Sequence, residues 1–327
     1  MSEPAPPPPL PAAVSGERIE FDSAAGRLSY YLGAPARFTH AHASVGNDGE
    51  LERVPLLLVH SINASGSAAE MRPLYDYYVA RRPVYAIDLP GFGFSERGER
   101  EYTPRLMTDA LHALIARIAD DHAGMPIDAA ALSLSCEFLA RAAMENPGPL
   151  RSLALISPTG FSGKRRRYGP PASNRRVGWL NRLLRRPGVG RVAFRNLTRP
   201  GVIRYFLART WGSPNIDEGL LAYDLITTKQ PGARHAPIEF LSATLFSNDV
   251  NTLYEALRMP VWMSHGVRGD FVDYRGKSTV EGRANWSFSV FPTGALPYFE
   301  TGDAFVGAYD TFLMKVGQQS TASEVRA

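Results

Sequence analysis

The sequence predicts an α/β architecture, a mostly parallel central sheet with helices on both faces and an inserted helical lid, and three observations carry it. The runs VPLLLVH (54–60) and PVYAID (83–88) are almost uninterruptedly apolar, as strands buried on both faces of a parallel sheet must be. Strand-like and helix-like segments then alternate to about residue 158, the rhythm of right-handed crossovers. From about 160 to 245 the rhythm breaks into helices and turns, and strands resume only at MPVWMSHG (259–266).

In chain order, short β-type runs open the domain at ERIEF (17–21) and RLSYYL (27–32), followed by a polar loop over 36–52. VPLLLVH is a central strand and PVYAID a second. Leu106, Met107, Ala110, Leu111, Leu114, Ile115 and Ile118 recur at helical spacing along one face. IDAAALS (127–133) is a strand leading into a helix from Leu134 to about Asn146, and LRSLALISP (150–158) is a further strand. Thr198-Arg199-Pro200 marks the start of a helix within the interruption, because proline is preorganised for the first helical position. WSFSVF (286–291) is the last strand, and an amphipathic segment over roughly 301–316 closes the fold.

With 327 residues and 44% hydrophobic content, the chain suits one large core plus the lid. The expected partition is a disordered, proline-rich tail over 1–15, a core over 16–160 and 246–316, a lid over 161–245 and a flexible tail over 317–327. The N-terminal MSEPAPPPPLPAAV lacks the apolar stretch of a secretory signal. No uncharged run approaches the ~20 residues that span a bilayer. The single cysteine, Cys136, excludes an internal disulfide framework. These features point to the cytoplasm, with peripheral membrane association left open by the charge distribution.

The net charge of +4 conceals an asymmetry. Residues 161–210 hold 14 Lys or Arg and no Asp or Glu, leaving 22 basic against 32 acidic residues elsewhere. Val177, Leu180, Leu183 and Leu184 can share one helix face while Arg182, Arg185 and Arg186 project from another. Such a lid suits a solvated outer face or an anionic membrane surface. Nucleic acid is disfavoured, since no recognition motif accompanies the charge.

Chemistry enters at ALSLSCEFLARAA (131–143). Ser133 sits between strand and helix with small residues, Ala131 and Ser135, two positions to either side, as a tight nucleophile-bearing turn requires. Taken alone, the segment also reads as an ordinary strand-to-helix turn. The segments VHSINASGSAAEMRPL (59–74) and DLPGFGFS (88–95) add context. In this order and spacing the three resemble the α/β-hydrolase superfamily (AB hydrolase-1 type, serine-nucleophile branch) over almost all of 17–316, and only loosely across the lid.

The resemblance implies Ser133 as nucleophile and backbone N–H groups of Ile62 and Leu134 as oxyanion hole, with Ser61 in place of a usual glycine. SHGVRGDFVD (264–273) nominates Asp270 as the acid and Asp273 as the weaker substitute; a capping role is the alternative for Asp270. FPTGALPYFETGDAF (291–305) resembles the Gly-His-x-x-x-x-Glu loop, but Ala295 stands on the position of the histidine, the general base, while Gly294, Pro297 and Glu300 match around it. Of the seven histidines, His235 is the best-placed surrogate. His60, Ser61 and His265, at strand ends, are candidate substrate contacts. His40, His42, His112 and His122 lie away from the strand ends.

The function expected is that of a serine hydrolase with an incomplete triad, acting on an ester, thioester or related acyl substrate of apolar or amphiphilic character, without metal or cofactor. The alternative is an inactive hydrolase-fold protein that binds a ligand or partner. A serine at the elbow, not an aspartate, argues against the dehalogenase and epoxide hydrolase branches.

Overall fold

A computed structural model describes residues 7–35 and 53–324. Among these, an eight-stranded sheet runs β1 (Glu17–Ser23), β2 (Gly26–Gly33), β4 (Val84–Asp88), β3 (Leu56–Val59), β5 (Ile127–Leu132), β6 (Leu150–Ile156), β7 (Val261–Gly266) and β8 (Trp286–Phe291). Strands β3 to β8 are mutually parallel, while β1 and β2 form an antiparallel hairpin whose second strand pairs antiparallel with β4.

The continuous apolar runs are explained by burial on both faces. Leu57, Val59, Ala129, Ala131, Leu155 and Met263 face one half of the core, and Leu56, Leu58, Ala130, Leu132, Ile156 and Trp262 face the other. The first half is covered by α2 (Pro104–Asp121), α3 (Ser135–Glu145) and α9 (Val250–Ala256). The second lies under α1 (Arg72–Val79), α10 (Pro297–Glu300) and α11 (Gly302–Glu324). Thr103 caps α2 by accepting from the amide of Leu106 at 3.2 Å, with Pro104 in the first turn.

Charge is buried where strands meet. Asp128 on β5 is fully buried and accepts from Arg82 at 2.5 Å, from Arg151 at 2.7 Å and from Ser152 at 2.6 Å. Arg141 of α3 pairs with Asp249, just before α9, at 2.7 Å.

Between β6 and β7 the chain forms α4 (Gly178–Leu184), α5 (Pro187–Leu197), α6 (Pro200–Trp211), α7 (Glu218–Thr227), α8 (His235–Leu241) and α9. Proline opens both α5 and α6, the latter where the sequence expects it. No helix among the described residues is long and apolar enough to cross a membrane.

Two expectations at the chain ends are corrected. The proline-rich segment is not loose throughout. Ala13 and Val14 are buried in the core, the Ala13 amide donates to Tyr31 at 3.0 Å, and Pro11 and Pro8 accept from Tyr223 and Gln230. An extended chain has free carbonyls, and here tyrosine and glutamine side chains use them. Residues 1–6 of that tail lie outside the described residues. At the other end, α11 runs through Glu324, past the amphipathic stretch.

Candidate functional site

The carboxyl ends of β3, β5, β6, β7 and β8 lie side by side, where open α/β sheets bind ligands. At the end of β5, Ser133 adopts φ 57°, a left-handed conformation that costs an L-residue roughly 1–2 kcal/mol. Its amide donates to Ile156 at 2.8 Å and its carbonyl accepts from Cys136 at 3.2 Å, so the turn is held from both sides. Ser135, fully buried, donates its hydroxyl to the carbonyl of His60 at 2.5 Å, tying this turn to the loop after β3. Cys136 is buried, and burial pushes its thiol well up, so it offers no nucleophile.

The loop after β3 is braced by groups that the sequence reading did not single out. Glu70, buried, accepts from the Ser61 amide at 2.7 Å, the Ser61 hydroxyl at 3.0 Å and Asn63 at 2.5 Å. The Asn63 carbonyl oxygen then accepts from the Ser65 amide at 2.7 Å. The side chain of Ser61, where a glycine is usual, is thus anchored on Glu70. A lone glutamate in the small-residue run SAAEM was the only available signal. Asp88 accepts from the amides of Ala68 and Phe94, both at 2.9 Å. Gly93 has φ 48°, and a Cβ there would stand 1.9 Å from the Asp88 carboxyl carbon, so glycine is required.

Within this frame the backbone amides of Ile62 and Leu134 have no acceptor among the described residues. The hydroxyl of Ser133 has no partner there either. His60 is fully engaged: its Nε2 accepts from Leu89 at 3.0 Å, which puts the proton on Nδ1, 2.6 Å from the Ser61 carbonyl.

The loops after β7 and β8 are occupied by the inserted helices. Asp270 is exposed and forms a two-pronged ion pair with Arg209 of α6, and its amide donates to the Arg209 carbonyl at 3.1 Å. Ala295 is buried. Its amide donates to the carbonyl of Thr210 at 2.9 Å, and its carbonyl accepts from Ser157 at 2.7 Å. At Gly294 a Cβ would stand 2.4 Å from the Thr210 carbonyl, so only glycine lets α6 approach. Trp211, buried, packs on Phe299 with ring centroids 5.6 Å apart. Glu300 accepts from the Gly294 amide at 2.7 Å and pairs with Arg268. Asp273 instead binds Ser162, Gly163 and Arg275, whose guanidinium holds the carboxyl below the usual range.

His265, buried at the end of β7, stacks on Tyr274 with centroids 4.0 Å apart. Its Nδ1 lies 2.8 Å from the Gly266 carbonyl, while Nε2 has no partner, and burial lowers its pKa. His235 opens α8 in a crevice with Glu99, Arg100, Arg186 and Ile238, whose lining includes none of Ser133, Asp270 and Ala295. Burial, with Arg234 and Arg185 nearby, lowers its pKa. His112 faces Glu145 and His122 faces Tyr85. His40 and His42 lie outside the described residues.

Sheet order, the antiparallel second strand and the serine-bearing turn define an α/β-hydrolase fold. Solved structures agree. A probable hydrolytic enzyme from Pseudomonas aeruginosa PAO1 superposes over 93% of this chain and 96% of its own, with TM-score 0.67 and 18% identity. A thermophilic esterase from Thermogutta terrifontis does so over 92% and 99%, with TM-score 0.64 and 18% identity. A bacterial membrane phospholipase A matches over 92% and 86%, with TM-score 0.64 and 17% identity. The sequence matches no protein-family model and no curated protein.

Proposed function

We propose that this chain is an acyl-ester hydrolase of low intrinsic rate, with Ser133 as nucleophile and the amides of Ile62 and Leu134 as oxyanion hole. The observation that carries this reading is the left-handed serine at the end of β5 together with two amides that have no acceptor among the described residues. Buried N–H groups are nearly always paired, so two free donors beside a strained serine suit an oxyanion that forms only during reaction. The substrate is an apolar or amphiphilic ester or thioester, in keeping with the esterase and phospholipase likenesses in fold.

Without a histidine at position 295, the proton of the Ser133 hydroxyl passes to a group on the substrate or to water. Loss of the base from a serine triad costs about 10⁶ in rate, leaving ~10³–10⁴ over water from the oxyanion hole and binding.

A second reading, ligand binding without turnover, is favoured by the engagement of Asp270 with Arg209 and of Ala295 with Thr210. Labelling by a serine-directed fluorophosphonate decides between them. Labelling of wild type that vanishes in Ser133→Ala and persists in His235→Ala is the expected result. Absence of Ser133-dependent labelling, combined with a thermal shift on adding a fatty acid, would favour the second reading.

A further inference from the structure

Helices α4, α5 and α6 follow one another and pack pairwise as a layer over the body. Each has an inward side, carrying Asn181 and Leu184, Gly190 and Phe194, and Ile203 and Trp211 respectively. Away from that side stand Trp179, Leu183, Val189, Val192, Tyr205 and Phe206, all exposed, Trp179 at 64%. Scattered apolar side chains on a protein surface need no explanation, but this set falls on consecutive helices.

Arginines are interleaved with them. Arg182 and Arg186 are one turn apart, as are Arg191 and Arg195, and Arg199 follows just before α6. Arg176, Arg185, Arg204 and Arg209 in this region have acidic partners. Among the described residues, Arg182, Arg186, Arg191, Arg195 and Arg199 have none within ion-pair distance. All five are exposed. The field is therefore strongly positive and uncompensated where the apolar side chains emerge.

We infer that the outer face of α4–α6 docks on an anionic lipid surface. Cationic side chains draw the face to the headgroups, worth about 1 kcal/mol per basic residue near the membrane. Trp179 and Tyr205 have the amphipathic rings that settle at the headgroup level, and Leu183, Val189 and Val192 reach the acyl boundary. Nucleic acid would use the charge but leave those aliphatic side chains without a partner. A second copy in a two-fold interface would bring the same arginines against each other. The inference is independent of the catalytic reading, and Ser133→Ala leaves docking unchanged.

Trp179 supplies the probe, because the other tryptophans, Trp211, Trp262 and Trp286, are buried. The full-length chain is mixed with vesicles of phosphatidylcholine alone or of equal parts phosphatidylcholine and phosphatidylglycerol. The expected result is co-sedimentation and a blue shift of tryptophan emission with the anionic vesicles only. Both should fade at about 1 M salt, where the screening length is about 3 Å. Replacing Arg182, Arg186, Arg191, Arg195 and Arg199 with Gln should weaken partitioning at least ~10-fold, with circular dichroism unchanged. Trp179→Ala should abolish the blue shift. Equal binding to neutral vesicles, no vesicle binding, tighter binding to a short DNA duplex, or a concentration-dependent dimer that buries Trp179 would each overturn the proposal.

Discussion

The amide of Ala295 donates to the carbonyl of Thr210 at 2.9 Å, and one residue earlier in α6 Arg209 grips the carboxylate of Asp270. Two loops that the sequence resemblance assigns to catalysis are thereby joined to the end of one inserted helix. The closeness of Gly294 to Thr210 shows that the joint is tight enough to exclude a side chain.

This joint sets what a restored base must overcome. A histidine at 295 needs an Asp270 carboxylate free of Arg209. The expected outcome is that Ala295→His alone changes p-nitrophenyl butyrate turnover little. Ala295→His with Arg209→Ala should raise it at least about tenfold, short of the ~10²–10⁴ that a fully placed general base contributes. Equal rates in the single and double variants would show that Asp270 does not need release.

Strain at Ser133 gives a second prediction, read by urea denaturation. Glycine accepts φ 57° without cost, so Ser133→Gly should unfold at equal or higher urea, up to about 1 kcal/mol more stable. Ser133→Val, β-branched and ill suited to that conformation, should lose at least about 1 kcal/mol. A valine variant as stable as wild type would contradict a left-handed serine.

The sheet was legible because burial on both faces leaves continuous apolar runs, such as Leu56 to Val59, that alternate along the chain with helical segments. The starts of α5 and α6 were legible through Pro187 and Pro200. The tight turn at Ser133 was legible from its small neighbours, Ala131 and Ser135, but the bracing of Ser61 by Glu70 and Asn63 was not, since hydrogen bonds between side chains leave no periodic trace. The grip of Arg209 on Asp270 joins residues from separate elements, and spacing could nominate Asp270 without revealing which way it turns. Ala13 and Val14 were read as tail because a proline-rich segment packs without any repeating pattern.

Asp128 yields a stability prediction away from the site. Its carboxylate is fully buried and answers two arginines, Arg82 and Arg151, across the floor of the sheet. Breaking a buried pair from one side costs about 3–5 kcal/mol. Asp128→Asn should therefore lower the urea midpoint severely or prevent folding. A loss below about 1 kcal/mol would mean that water reaches the two guanidinium groups.

Glu137 makes stability depend on pH in a direction that can be worked out. It lies fully buried on α3, where its carboxyl accepts from Thr159 at 2.5 Å and from the Ser247 amide at 2.7 Å. Burial outweighs those donors and pushes its pKa up to about 7. The unfolded chain releases this proton near the ordinary glutamate value of about 4.3, so the folded state binds it more tightly. The stabilisation is thus complete below about pH 4 and is lost as pH rises towards 7, by on the order of 3 kcal/mol. Asp224, raised well above its ordinary range by burial and by Glu70, acts in the same direction. Gln at 137 keeps an acceptor for Ser247 and can donate to Thr159, and it has no proton to lose. Between pH 5 and 8, Glu137→Gln should therefore show a flatter decline of melting temperature than wild type and should be the more stable of the two at pH 8. Parallel melting curves across that range would show that Glu137 is ionised in the folded protein throughout.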